Sequence, residues 1–195
     1  MRPEDQTRLA EAVAKALEWH GPQTRKGTAV PYVAHLLQVA GLVLEYGGSV
    51  DQAVAALLHD AVEDTDATPA DIALAFGPAV AAIVDDATDT LPGDTPERKS
   101  PWTERKQAHL DHLATLGPDS ALVVACDKLH NLRAFVADAR ADGVESIGPP
   151  RFSVRPDRQL WYLTEATDRV RPAIPARLAA ALDDGLTELA EAIRG

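Results

Sequence analysis

Cysteine is almost missing from this chain of 195 residues, with Cys126 standing alone. A single cysteine closes no internal disulfide, which suits a reducing compartment, and Cys126 reads as a small buried hydrophobe. Lysine is scarce too, at five positions, and aromatic residues make up only 5% of the chain. Positive charge is in deficit: 30 acidic against 19 basic residues leave a formal net charge of -11. Nucleic acids and anionic membranes would repel such a surface, so neither is an expected partner, and any phosphate ligand must be met by a local cluster of cations. No uncharged apolar run approaches the roughly 18 residues that span a bilayer. The opening MRPEDQTRLAEAV has neither the basic start nor the apolar stretch of a secretory signal. The expected location is cytoplasmic.

What is present points to helices. Hydrophobic residues form 46% of the chain, and alanine and leucine supply much of that share. Both favour helix over strand. The length suits one domain with a proper core. Proline and glycine divide the chain into segments with helical periodicity. These run from about Pro3 to His20, from Pro31 to the Gly47-Gly48 pair, and then from a Ser49–Gln52 capping box through HDAVED. Short helices follow from Pro69 and from Pro78, with a loop over 88–101. Longer ones cover 103–116 and 120–140, an irregular connection fills 142–156, and helices near 157–170 and 175–194 finish the chain. The one strand-like run, ALVVAC at 121–126, lies inside a helical pattern. The expected fold is all-α, a bundle of about eight to ten helices without a significant sheet.

Residues 57–66, LLHDAVEDTD, carry the densest signal. On one continuous helix, His59 and Glu63 are four apart, as are Asp60 and Asp64. All four then share a patch about 140° wide at roughly 100° per residue. Carboxylates so crowded repel one another unless a cation joins them, and an imidazole with an adjacent carboxylate suits a metal ion. Two ligands do not close a metal site. Further candidates are His35, on the otherwise apolar PYVAHLLQVA, and Asp127, directly after the apolar run of VVACDKLHNL, with His130 and Asn131 one turn on. Each has a plain alternative as a hydrogen-bonded or ion-paired core residue. Three apolar helices each carrying one inward polar ligand is the less ordinary coincidence. Three of the five lysines sit in Arg-Lys pairs: Arg25-Lys26, Arg98-Lys99 and Arg105-Lys106. A clamp for a phosphorylated ligand is the favoured role for the first pair and then for the third, while solubility serves as well for Arg98-Lys99.

In the stretches HGPQTRKGTAVPYVAHLLQVA, AALLHDAVEDTDAT, FGPAVAAIVDDATD, ERKQ and CDKLHNLRAF, the chain resembles the HD-domain metal-dependent phosphohydrolases. It is most similar there to the hydrolase domain of the RelA/SpoT family, small stand-alone members included. The likeness covers about residues 10–140, within a single domain expected over 1–195 that helices at 157–194 complete. It implies that His35, His59, Asp60 and Asp127 bind a divalent metal, usually manganese, with other divalent transition metals able to replace it. It places Glu63 and Asp64 on the acids that position and deprotonate the attacking water. Arg25, Lys26 and Asn131 fall on substrate contacts, Lys106 belongs to a clamp, and Tyr162, in the looser echo RQLWYLTEA, falls near the nucleotide. The implied activity is hydrolysis of the 3′-pyrophosphate of guanosine tetra- and pentaphosphate to GDP or GTP and pyrophosphate. Alternatives are action on another phosphorylated nucleotide, such as the 2′-phosphate of NADPH, and a non-catalytic nucleotide- or partner-binding protein. Two positions depart from the family pattern: Leu36 stands where proline commonly follows the first histidine, and Cys126 where alanine is usual. The sequence carries no synthetase region, so synthesis by the family's own route is not expected.

Overall fold

The computed structural model describes residues 1–95 and 97–195, and its architecture follows from helix punctuation. Ten α-helices and two short 3-10 turns occur among the described residues: α1 (Pro3–His20), α2 (Val33–Glu45), α3 (Val50–Leu58), α4 (Ala61–Asp64), α5 (Pro69–Phe76), α6 (Pro78–Ala87), α7 (Trp102–Leu113), α8 (Pro118–Asp142), α9 (Pro156–Val170) and α10 (Ala176–Arg194). Five of these, α1, α5, α6, α8 and α9, open on a proline. At the first helical position proline's fixed φ is preset for the helix and its missing N–H is no loss. The only pairing of extended backbone among the described residues is two isolated bridges, Thr24 with Pro31 and Thr95 with Arg98. Pro31 is therefore held by the bridge, and α2 begins two residues after it.

Helix α3 is the centre of the molecule. Gln52 through Leu58 are all buried, and the helix packs against α1, α2, α6 and α8. Its entry is fixed by a reciprocal cap: Ser49 Oγ accepts from the Gln52 N–H at 3.2 Å, and the Ser49 N–H donates to Gln52 Oε1 at 2.7 Å. The Gln52 amide also donates to the Asp119 carbonyl at 3.1 Å, tying α3 to the start of α8. Just upstream, Gly47 turns at φ +89°, and a Cβ on Gly48 would stand 2.8 Å from the Val43 carbonyl, so the α2–α3 turn admits only glycine at both. The 25-residue α8 is the second spine. Its apolar run from Ala121 to Cys126 is buried, and the helix packs against α2, α3, α6, α9 and α10. No described helix is long and apolar enough to cross a membrane.

One expectation is corrected. HDAVED does not continue α3 as a single helix, because regular structure stops at Leu58 and resumes at Ala61. Asp60 adopts φ −96°, ψ −1°, the sparsely populated region between helix and strand where many active-site residues sit. The Asp64 N–H still reaches the Asp60 carbonyl at 3.0 Å, so the kink turns the chain without unwinding it. Sequence periodicity is blind to such a break, since neither His59 nor Asp60 is a helix-breaking residue.

Candidate active site

Four side chains from three places in the chain meet at one point. His35 Nε2 stands 3.3 Å from His59 Nε2, 3.4 Å from Asp60 Oδ2 and 3.3 Å from Asp127 Oδ1. His59 Nε2 lies 3.1 Å from Asp60 Oδ2 and 3.6 Å from Asp127 Oδ1. Donors that share an ion at bonds of about 2.1 Å stand about 3.0 to 3.4 Å apart, and His35, His59 and Asp127 come close enough to that spacing to hold a divalent ion, with Asp60 beside both histidines. His35, His59 and Asp127 are buried.

Hydrogen bonds fix the rings. His59 Nδ1 donates to the Ala56 carbonyl at 2.8 Å, leaving Nε2 to face the cluster. His35 Nδ1 lies 2.8 Å from His130 Nδ1. Burial, then the charges of His35 and Arg25, push the His130 imidazole down to about 4, so it is neutral and able to accept. Tyr32 donates its hydroxyl to Asp60 Oδ2 at 2.6 Å. Asn131 Nδ2 donates to Asp127 Oδ1 at 2.7 Å, and the Lys128 ammonium donates to Asp127 Oδ2 at 2.8 Å. Burial would raise both aspartates. The His59 and His35 rings override it at Asp60, and the Lys128 charge with the histidine bonds does so at Asp127, holding both well below the usual carboxylate range. In turn Asp60 and Asp127 overcome the effect of burial on His59 and hold it well above an ordinary histidine. An ion taking the same donors must displace that proton.

The acids of α4 face the same cavity. Glu63 Oε1 and Asp64 Oδ1 accept from one ammonium, Lys99, at 2.9 and 3.0 Å. Asp64 Oδ2 also accepts from the Gln23 amide at 3.2 Å. Burial pushes Glu63 above the ordinary glutamate range, and Asp89 and Asp60 add to the rise against the opposing charges of Lys106 and Lys99. The cavity, about 540 Å³, is lined by all eleven residues singled out from the sequence, namely His35, His59, Asp60, Glu63, Asp64, Asp127, Arg25, Lys26, Asn131, Lys106 and Tyr162. Arg25 donates to Asn131 Oδ1 at 3.3 Å and lies over the Tyr32 ring, while the exposed Lys26 lies over Phe152. Lys106 is not a free clamp: its ammonium is bonded to Asp89 and sits 4.4 Å from the Tyr162 ring centroid.

Sequence reasoning missed several groups. Lys99 parts from its neighbour Arg98, which stays exposed on a turn, and reaches the cavity from the 88–101 loop. Lys128, Asp89 and Tyr32 also belong to the site, and His130 joins it through His35. A lysine beside a ligand aspartate and an aspartate ending a helix were the available signals, but which distant charge each meets is a property of the fold.

Four likenesses bear on this geometry. The family model for the HD domain matches residues 12–147. The guanosine-3′,5′-bis(diphosphate) 3′-pyrophosphohydrolase MESH1 of Xenopus tropicalis is 40% identical over 132 residues, 66% of this chain and 70% of that protein. The bifunctional (p)ppGpp synthase/hydrolase SpoT of Escherichia coli is 32% identical over 140 residues, 68% of this chain but 19% of that much longer protein. The solved structure of a metazoan orthologue of SpoT, described as hydrolysing ppGpp, superposes with a TM-score of 0.76 at 28% identity, covering 93% of this chain and 94% of its own.

Proposed function

The chain belongs to the HD domain family, and from that premise we propose that it removes the 3′-pyrophosphate of guanosine tetra- and pentaphosphate, yielding GDP or GTP and pyrophosphate. The observation that carries the reading is the meeting of His35, His59 and Asp127, with Asp60 against both histidines, beside two acids and a wall of cations in one cavity. Relatives that share two thirds of their length with this chain bear that activity in their names. Manganese is our choice of ion, as the sequence resemblance implies, and two imidazoles with two carboxylates suit it.

The four donors would hold the ion, which when bound activates a phosphoryl oxygen as a Lewis acid and lowers the pKa of water. Glu63 and Asp64 hold the attacking water by hydrogen bonds, and Glu63, raised by burial, takes its proton. Water oxygen bonds to the phosphorus attached at the ribose 3′ position. The bond from that phosphorus to the 3′ oxygen breaks, the oxygen takes a proton from solvent to end as the hydroxyl of GDP or GTP, and the water oxygen leaves in pyrophosphate. Lys99 spans Glu63 and Asp64, and must yield part of its bonding for the water to be held there. Arg25 and Lys26, which line the cavity, meet the remaining nucleotide charge. We read residues 1–195 as one domain, because Tyr162 of α9 lines the same cavity as the donors of α2, the α3–α4 turn and α8. A reducing cytoplasm suits the lone thiol Cys126, pushed up to about 12 by burial.

The test is turnover of guanosine tetraphosphate labelled in its terminal 3′ phosphate, with manganese present. Labelled pyrophosphate is expected from the wild type and a loss of at least 10³-fold in Glu63→Gln and Asp127→Asn. Tight binding without turnover would make the protein a nucleotide binder, and labelled orthophosphate would make it a different phosphatase.

A further inference from the structure

Helix α1 ends at His20, a buried residue to which the proposed reaction gives no role. Its Nδ1 lies 2.7 Å from Gln23 Oε1, and Gln23 Nε2 donates to Asp64 Oδ2 at 3.2 Å. A carboxylate only accepts, so the amide hydrogens of Gln23 face Asp64 and the amide oxygen faces His20. That oxygen accepts in its turn, which places a hydrogen on His20 Nδ1. The bonds therefore run in one direction, from imidazole to amide to acid.

Packing by itself does not account for an imidazole here. The His20 ring stacks on Tyr32, with centroids 5.1 Å apart and planes 22° apart, but its Nε2 is buried without a hydrogen-bond partner. A phenyl ring would fill the same place without burying an unmatched nitrogen. What the imidazole adds is the Nδ1 donor. At the other end of the chain of bonds, Asp64 has two side-chain partners among the described residues, Lys99 on Oδ1 and Gln23 on Oδ2. Lys99 yields part of its bonding when water is held at the acids, and Gln23 is then what keeps the carboxylate in place. Misplacement by about 1 Å near a reacting centre lowers rates by as much as about 10²-fold.

We propose that His20 and Gln23 are positioning residues, a relay in which His20 orients the Gln23 amide and the amide holds the Asp64 carboxylate in the direction that aims the attacking water. This rests on the reading above, in which Asp64 holds that water, and deepens it. Gln23 lines the cavity and His20 does not, so His20 acts only through its neighbour. The backbone supports the same arrangement. The Gln23 N–H donates to the His20 carbonyl at 2.9 Å, and the Gln23 carbonyl accepts from the Tyr32 N–H at 2.9 Å, so the amide starts from a fixed point.

The experiment pairs two substitutions in the full-length protein. His20→Phe keeps a ring against Tyr32 and removes the donor, whereas His20→Asn sets an amide nitrogen near the Nδ1 position and removes the ring. With manganese and guanosine tetraphosphate, His20→Phe should lower kcat by about 10- to 100-fold, with KM and manganese affinity unchanged. His20→Asn should stay close to wild type. His20→Asn no better than His20→Phe overturns the relay, and so does His20→Phe that matches wild type. In an Asp64→Asn background His20→Phe should cost nothing more, and an equal further loss there overturns action through Asp64. Either His20 variant can fail to fold, so nitrogen NMR of the His20 imidazole at about pH 8 gives a reading that needs no turnover. A hydrogen on Nδ1 in wild type that shifts to Nε2 in Gln23→Leu supports the relay. A hydrogen on Nε2 in wild type, or one that Gln23→Leu does not move, overturns it. Wild type that hydrolyses nothing sinks the proposed reaction, while the nitrogen signals still decide the relay.

Discussion

Tyr32 and His130 each hold one donor of the cluster through a single hydrogen bond, and neither is itself a proposed ligand. Groups in that position orient ligands and raise their basicity, and losing one weakens metal affinity or activity by about 10- to 100-fold. Tyr32→Phe and His130→Ala should each lower manganese affinity by that factor in a direct titration. An unchanged affinity would show that Asp60 and His35 are held by packing alone. A second prediction concerns Lys99, whose charge lowers Glu63 against burial. Removing it in Lys99→Met should raise Glu63 further, so the acid limb of the kcat/KM profile moves to higher pH. A limb that stays put, or moves down, would remove Glu63 as the proton acceptor. At this scale the sequence was informative about donors and poor about their partners. Histidines and aspartates on apolar segments betray themselves by being out of place, as His35 and Asp127 do. Lys99 reaching Glu63, or Lys128 turning to Asp127, needed the loop and helix positions that only tertiary packing sets.

Helix boundaries were legible wherever proline and glycine set them, because each acts through its own backbone geometry. Pro3, Pro69 and Pro78 open their helices as read, and Gly47-Gly48 closes α2. The break at His59-Asp60 was not legible, since no residue there is a helix breaker and the kink is held by tertiary bonds to Tyr32 and His35. On α7, His109 gives a testable consequence of packing. Burial, with Lys128 adding to it, pushes its imidazole down to about 3, while Asp89 pulls the other way. The unfolded chain takes up this proton as pH falls through about 6.5, whereas the fold refuses it until about 3. Stability present above 6.5 is thus lost on acidification across that window, by about 2 kcal/mol at pH 5. Urea midpoints at pH 7 and pH 5 should fall farther apart in wild type than in His109→Gln. Equal drops would mean that His109 is protonated in the fold.

For the molecule as a whole, the site draws on helices distant in sequence, so an ion there links them. Binding only to the native state at 100 times the dissociation constant adds about 2.7 kcal/mol. For a chain of this size that raises the melting temperature by about 5 to 10 °C. Manganese should produce this rise in wild type and none in Asp127→Asn, which keeps the shape of the side chain and one of its two acceptor oxygens. A rise of equal size in both would place the ion elsewhere. The acidic surface, net charge -11, was legible as a bar to polyanion binding, but the cations gathered inside one cavity were hidden in that total.

The most direct measurement is anomalous scattering from crystals of the manganese-loaded protein. The account predicts one strong peak within about 2.0 to 2.3 Å of His35 Nε2, His59 Nε2, Asp60 Oδ2 and Asp127 Oδ1. A peak that leaves any two of those atoms out of bonding reach, in protein that still turns over substrate, would contradict it.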